Sequence, residues 1–189
     1  MLRLSIALCS LVVCAAALAE PAQWNVDRAK SSLQFVVDVN GQTVTGRFRS
    51  FDAIIAFDPA DLAHSSAKIT IDMGNQESGD ATRDAMLGKP DWFNVPAFPK
   101  AVFQTTAFAS KGGNAYEARG RLTMKGLSRE LVLPLTIAIA GDIAVAKGEV
   151  TILRTDFKVG QGKQFETDKP VARAVKVLVN VTAKRTNSF

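Results

Sequence analysis

The sequence predicts an all-β protein: a closed eight-stranded antiparallel barrel or a tight sandwich, with one short helix-and-plug segment around residues 80–99. Three observations predict it. Apolar residues recur at every second position through most of the chain, the period of a strand with one buried face. Turn residues punctuate those runs at short intervals. One stretch, Arg83 to Phe103, breaks the alternation by mixing apolar groups with prolines.

Residues 1–19 come first. Arg3 is a positive start, Leu4 to Leu18 is nearly all apolar, and Ala17-Leu18-Ala19 is a small-x-small cleavage site before Glu20. That is the pattern of a secretory signal peptide, too short to span a bilayer. The bulky Val13 before Cys14 argues against a lipoprotein cleavage site. The expectation is export, removal of residues 1–19, and one domain over residues 20–189. Both cysteines, Cys9 and Cys14, leave with the signal, so an ordinary core must hold the rest.

Strand patterns follow in order. Leu33, Phe35, Val37 and Val39 share a face, then Phe51, Ala53, Ile55 and Phe57, then Ile69, Ile71 and Met73. Residues 101–109, 115–125 and 144–157 are weaker runs. Leu131, Leu133, Leu135, Ile137 and Ile139 form a strong one, as do Val171, Val175, Val177, Val179 and Val181. Turn signals between them include Asn40-Gly41, Asp58-Pro59, Gly112-Gly113, Lys125-Gly126, Gly141-Asp142 and Gly160-Gln161-Gly162. Gly46, with a phase change between Phe48 and Phe51, predicts a bulge or bend. Pro134 predicts a strand position without a ladder donor.

The segment from Arg83 to Phe103 is apolar where a loop would be polar. Met86, Leu87, Trp92, Phe93, Phe98 and Phe103 must pack on something, and Pro90, Pro96 and Pro99 prevent one regular element. Asp80 can cap a short helix through Leu87, which Gly88 and Pro90 end. The expectation is a rigid plug over one end of the β-structure.

An outer-membrane barrel would share the alternation, but it needs aromatic girdles. Trp24, Trp92 and Tyr116 are the only Trp and Tyr residues, and five residues from Lys184 to Ser188 separate Phe189 from the last strand. A soluble barrel is the better reading. The net charge of +5 is dispersed along the chain, which describes a solvated surface and no nucleic-acid patch.

Chemistry is sparse. His64, the single histidine, lies in a polar turn, so a zinc or copper set is not expected, and Glu77, Asp80 and Asp84 lack calcium-loop spacing. No G-x-S-x-G elbow is present, and Gly160-Gln161-Gly162-Lys163 is a turn, not a full phosphate loop. The expectation is therefore no catalytic residue, no metal, no cofactor and no enzyme. A hydrolase would have to use His64 as its base. Arg83-Asp84 and Arg154-x-Asp156 stand out as charged pairs, either structural or facing a ligand's polar head. In so apolar an interior each buried CH₂ contributes roughly 0.8 kcal/mol against an association cost of about 4–15 kcal/mol. A ligand, if held, is then a long chain of roughly ten or more buried carbons.

These motifs together resemble the YceI-like family of exported bacterial proteins. The resemblance rests on Trp24-x-Val26-Asp27, Ser32-x-x-Phe35, Gly46-x-Phe48-x-x-Phe51 and Phe57-Asp58-Pro59. It continues through Arg83-Asp84-x-Met86-Leu87, Asp91-Trp92-Phe93-Asn94-Val95, Phe98-Pro99 and Phe103. Gly120-x-Leu122-Thr123-Met124-Lys125-Gly126-Leu127 and Arg154-x-Asp156-Phe157-x-Val159-Gly160 complete it. Asn94 stands where the family often has Asp, and Asp38 where it often has a basic residue. The resemblance implies a periplasmic lipocalin-like barrel around a long apolar pore, binding polyisoprenoids, quinones or fatty amides. It also implies a partner for some members, a membrane b-type cytochrome.

The resulting expectation is a transport or storage protein, monomer or homodimer, whose interior takes the ligand. Phe35, Val37, Phe51, Met73, Leu133 and Leu135 would form the walls. Met86, Leu87, Trp92, Phe93, Phe98, Phe103 and Phe157 would close them, with Trp92→Ala weakening lipid binding more than folding. The alternative function is an interaction module with a filled core, docking to a membrane electron-transfer complex.

Overall fold

The computed structural model describes residues 20–165, 167 and 169–186; the expected signal peptide, residues 1–19, and Phe189 lie outside them. Eleven strand segments make eight staves. The first stave is split into β1 (Gln23–Val26) and β2 (Ser32–Val39), both lying along β11 (Ala174–Arg185). A 3-10 turn at Arg28–Lys30 divides them, with the Asp27 carboxylate accepting from the Ala29 N–H at 3.1 Å. The second stave is β3 (Gln42–Phe48) and β4 (Phe51–Ala56), bent at Arg49-Ser50.

From β4 the ladder runs antiparallel through β5 (Ser66–Asp72), β7 (Lys100–Gly112), β8 (Ala115–Met124), β9 (Leu127–Ala140) and β10 (Ile143–Leu153) to β11. The two-residue β6 (Gln76–Glu77) adds to β3. Closure comes from β1, which pairs with β4 at Trp24↔Ile55 and with β11 at Trp24↔Arg185. The sheet is therefore a closed antiparallel barrel, not a sandwich. Closure removes the free edges that an alternating sheet would otherwise expose.

Two strand bounds are corrected, and the bend expected between Phe48 and Phe51 forms at Arg49-Ser50. Gly46 is not a bulge but a regular ladder position opposite Phe35, and a Cβ there would sit 2.1 Å from the Phe35 ring. Its lack of a side chain lets that ring lie flat on the wall; the bend falls three residues later. The run 144–157 stays a strand only to Leu153, and Arg154–Phe157 forms a 3-10 turn. The last strand begins at Ala174 and extends to Arg185, past the predicted 181.

The helix α1 (Ala81–Leu87) forms as its caps predict: the Asp80 carboxylate accepts from the Arg83 N–H at 2.8 Å, and Gly88 ends it. With residues 88–99 it covers one end of the barrel, here the upper end. Residues 158–165 lie beside it, joined where the Asp91 carbonyl accepts from the Gly160 and Gln161 N–H groups at 2.8 and 2.9 Å. At the lower end Trp24, Phe57 and Tyr116 are buried together; the Trp24 indole N–H donates to the Phe57 carbonyl at 2.9 Å. The Phe57 ring meets Phe108 and Tyr116 edge-on at 5.2 and 5.4 Å.

Candidate functional site

The inward faces of the staves do not fill the barrel. An upper cavity of about 190 Å³ lies beneath the plug, and a lower one of about 100 Å³ lies above the aromatic floor. Ile69, Phe103, Leu133, Val179 and Val181 line both, so the two are chambers of one bore meeting at a waist. A void of roughly 10–15 Å³ already admits a water, but an apolar void of this kind stays dry and takes apolar guests. Ser32 and Arg154 are the polar residues in the upper wall, and Thr105 is the one in the lower. Val150, Ile152, Val175 and Val177 face inward yet are only half-buried, because part of their surface is cavity wall.

The plug supplies the upper ceiling. Leu87, Trp92 and Phe93 line the cavity, and Trp92 packs edge-on against Phe165 at 5.1 Å while Phe93 approaches Phe48 at 6.2 Å. Helix capping aims Leu87 inward, and the Phe93 N–H returns to the Leu87 carbonyl at 2.9 Å, which places Trp92 and Phe93 over the bore.

Of the residues expected to hold a ligand, Phe35, Val37, Phe51, Met73, Leu87, Trp92, Phe93, Phe103 and Leu133 line the upper chamber, and Leu135 lines the lower. Three do not line either. Met86 is exposed on the outer face of α1, one residue out of phase with Leu87. Phe98 packs over the Lys125-Gly126 turn, its ring 3.0 Å from where a Gly126 Cβ would stand. Phe157, the last residue of the 3-10 turn, is buried in the core without lining the cavity. The sequence reading missed the floor, where Trp24, Phe57 and Phe108 contribute, and the β8 wall at Leu122 and Met124. Alternation along 115–125 was the available signal for β8. The floor could not be read, since it joins Trp24 of β1, Phe57 just past β4 and Phe108 of β7.

Neither charged motif forms its own ion pair. Arg83 and Asp84 both turn to buried Ser78: Arg83 Nε donates to its hydroxyl at 2.8 Å, and Asp84 Oδ1 accepts from its N–H and hydroxyl at 2.8 and 2.6 Å. They pin the helix to the strand before it. Asp156 is exposed, whereas Arg154, 2 % exposed, donates to the carbonyls of Val159, Gly160, Phe165, Thr167, Val171 and Ala172. Its guanidinium is the strut of the upper loop. One side of it still reaches the cavity wall.

Around the upper rim, Lys125 Nζ donates to the Lys158 carbonyl at 2.7 Å, and burial pushes its amine below the ordinary value. Glu77 bridges Arg47 and Arg49 at 2.6 Å each; hydrogen bonds from Arg49 and Arg47 lower its carboxyl to about 2. His64 is exposed at the lower end and pairs with Asp61 at 2.7 Å.

Fold and cavity define a class: a closed antiparallel barrel with an apolar bore capped at one end by a helical plug. The chain belongs to the YceI-like family, whose domain model matches residues 24–183. BcnA of Burkholderia cenocepacia superposes with a TM-score of 0.81 at 34 % identity, over 85 % of this chain and 100 % of that one. A polyisoprenoid binding domain from Saccharophagus degradans, implicated in plant cell wall breakdown, gives a TM-score of 0.71 at 14 % identity, over 87 % and 99 % of the two chains; that likeness is one of fold. Among curated relatives, a UPF0312 protein of Vibrio cholerae is 31 % identical over 114 residues, and the match spans 60 % of each chain.

Proposed function

We propose that this protein is an exported, periplasmic carrier that holds one long apolar chain lengthwise in its barrel and performs no chemistry on it. The ligand class is a polyisoprenoid, a quinone with such a tail, or a fatty amide. The observation that carries the reading is the pair of chambers joined at an apolar waist. At about 30 Å³ per water-sized group, the chambers have room for about six and about three such groups. At roughly 0.8 kcal/mol each, the upper chamber alone gives about 5 kcal/mol, at the low edge of the association cost of about 4–15 kcal/mol, and both chambers together give about 7 kcal/mol. A compact ligand confined to one chamber barely breaks even. The neighbour from Saccharophagus degradans supports the isoprenoid class, and the N-terminal pattern of residues 1–19 supports export.

Native mass spectrometry of protein purified from the periplasm tests this reading. The expected result is a second species heavier by the mass of one lipid, lost on extraction with organic solvent. Empty protein whose tryptophan fluorescence ignores long-chain quinones would overturn it and favour a docking module, with a membrane b-type cytochrome as the partner to try.

A further inference from the structure

Both ends of the bore are covered, the upper by the plug and the lower by the aromatic floor. The side wall is not uniformly laced. The β9–β10 ladder begins at Ile143↔Ala140 and stops at Gly148↔Leu135, yet β9 continues back to Leu127 and β10 on to Leu153. Beyond that point each is held on its far side only, β9 by β8 and β10 by β11.

Pro134 is the local cause. The Ile137 N–H donates to the Asn114 carbonyl beside β8, so the even positions of β9 turn their backbone toward β10. Pro134 is one of these and has no N–H to give. Its carbonyl presses on Gly148 so closely that a Cβ there would lie 2.3 Å away. The ladder ends at this contact.

The interrupted stretch opens onto the upper chamber. Leu131 and Leu133 on one side and Val150 and Ile152 on the other all line it. On the outside Val132 and Leu153 are 46 % and 47 % exposed, two large apolar side chains set among the exposed Glu130, Glu149 and Thr151 of the outer wall. At the top the 3-10 turn Arg154–Phe157 packs on β9 and frames the gap as a window.

We propose that this window between β9 and β10 is the side entrance through which the lipid chain enters and leaves the bore. The inference rests on the carrier reading above. An apolar chain passing between any fully paired staves would break several ladder bonds and strand their donors and acceptors against hydrocarbon. Between residues 130–134 and 149–153 the β9–β10 ladder has already ended. Val132 and Leu153 on the outer wall and Leu131, Leu133, Val150 and Ile152 on the inner one give the route an apolar side.

The test locks the window. Extending the register three residues beyond Leu135↔Gly148 sets Val132 opposite Thr151. A Val132→Cys/Thr151→Cys pair, with Cys9→Ala and Cys14→Ala so that it is the only pair, can be oxidised across the gap. Stopped-flow quenching of tryptophan fluorescence by decylubiquinone reads uptake. Uptake at least ten-fold slower when oxidised, and restored by reducing agent, is the expected result. Equal rates in the verified disulfide and dithiol forms would overturn the window. A second arm does not need the disulfide: Pro134→Val restores the missing donor and is expected to slow uptake as amides along 130–134 gain protection from hydrogen exchange. Protection gained with unchanged uptake also overturns it. So does slowing by an Asp91→Cys/Gln161→Cys lock across the plug while the side lock has no effect. Absence of quenching in the wild type, by contrast, refutes the carrier reading itself and takes the window with it.

Discussion

Val179→Phe separates a ligand that runs the length of the bore from one that sits under the plug. Val179 lines both chambers at the waist, facing inward from β11 between Leu33 of β2 and Gly148 of β10. A phenyl ring there fills the junction and denies the lower chamber to a chain entering from above. That chamber, about 100 Å³, holds about three water-sized groups. Three buried CH₂ equivalents are worth about 2.4 kcal/mol, or roughly fifty-fold in affinity. Isothermal titration with a long-tailed quinone is expected to show that loss, while a quinone with a single isoprene unit, whose five-carbon tail fits the upper chamber alone, changes less than about two-fold. Filling a void also predicts an unchanged or higher melting temperature. Equal losses for both tail lengths, or none for the long one, refute a continuous bore.

Further outcomes follow from the same contacts. Arg154→Met removes the donor to six carbonyls, three of the bonds buried and three part-buried, and is expected to cost at least about 3 kcal/mol in denaturant unfolding, with residues 158–165 losing hydrogen-exchange protection first; wild-type protection there would refute the strut. Gly46→Ala puts a Cβ on the Phe35 ring and is expected to lower the melting temperature and alter ligand affinity together, because Phe35 is both core and cavity wall; an unchanged melting curve would show that the ring moves freely. Glu77 titrates near 2 when folded against an ordinary value of 4.5, so its support is complete above pH 4.5 and is lost as pH falls toward 2. Wild type should therefore lose more thermal stability than Glu77→Gln over that interval, and parallel curves would deny the clamp. Trp92→Ala, expected from sequence to weaken lipid binding more than folding, is expected from its buried contacts with Phe165 and Gly160 to cost about 3–5 kcal/mol in stability as well; urea unfolding measures it, and a midpoint like that of wild type would return Trp92 to a purely ligand-facing role.

Much of the fold was legible because a strand writes its burial into a two-residue period. Leu33 to Val39 and Leu131 to Ile139 could be assigned to one face without knowing their partners. The helix was legible for a similarly local reason, since Asp80 and Gly88 cap it with their own atoms. The cavity residues on those strands followed. Met86 and Phe98 misled because the plug has no period: adjacent residues such as Met86 and Leu87 face opposite ways according to how the helix docks. Arg154 misled because proximity in sequence to Asp156 suggested a pair, whereas the folded loop brought six carbonyls within reach.

The sequence by itself determined the all-β class, the inward set on each strong strand, the capped helix, and the missing donor at Pro134. These are properties of neighbouring residues, set by alternation, capping and the proline ring. Only the tertiary structure decided that the sheet closes, that two chambers meet at Val179, that Trp24 and Phe57 floor the lower one, and that the lost donor becomes a gap in the wall. Each of those joins residues far apart in the chain. The β1–β4 closure, the waist and the floor exist only once distant staves have found their register, and register is a property of pairs of strands.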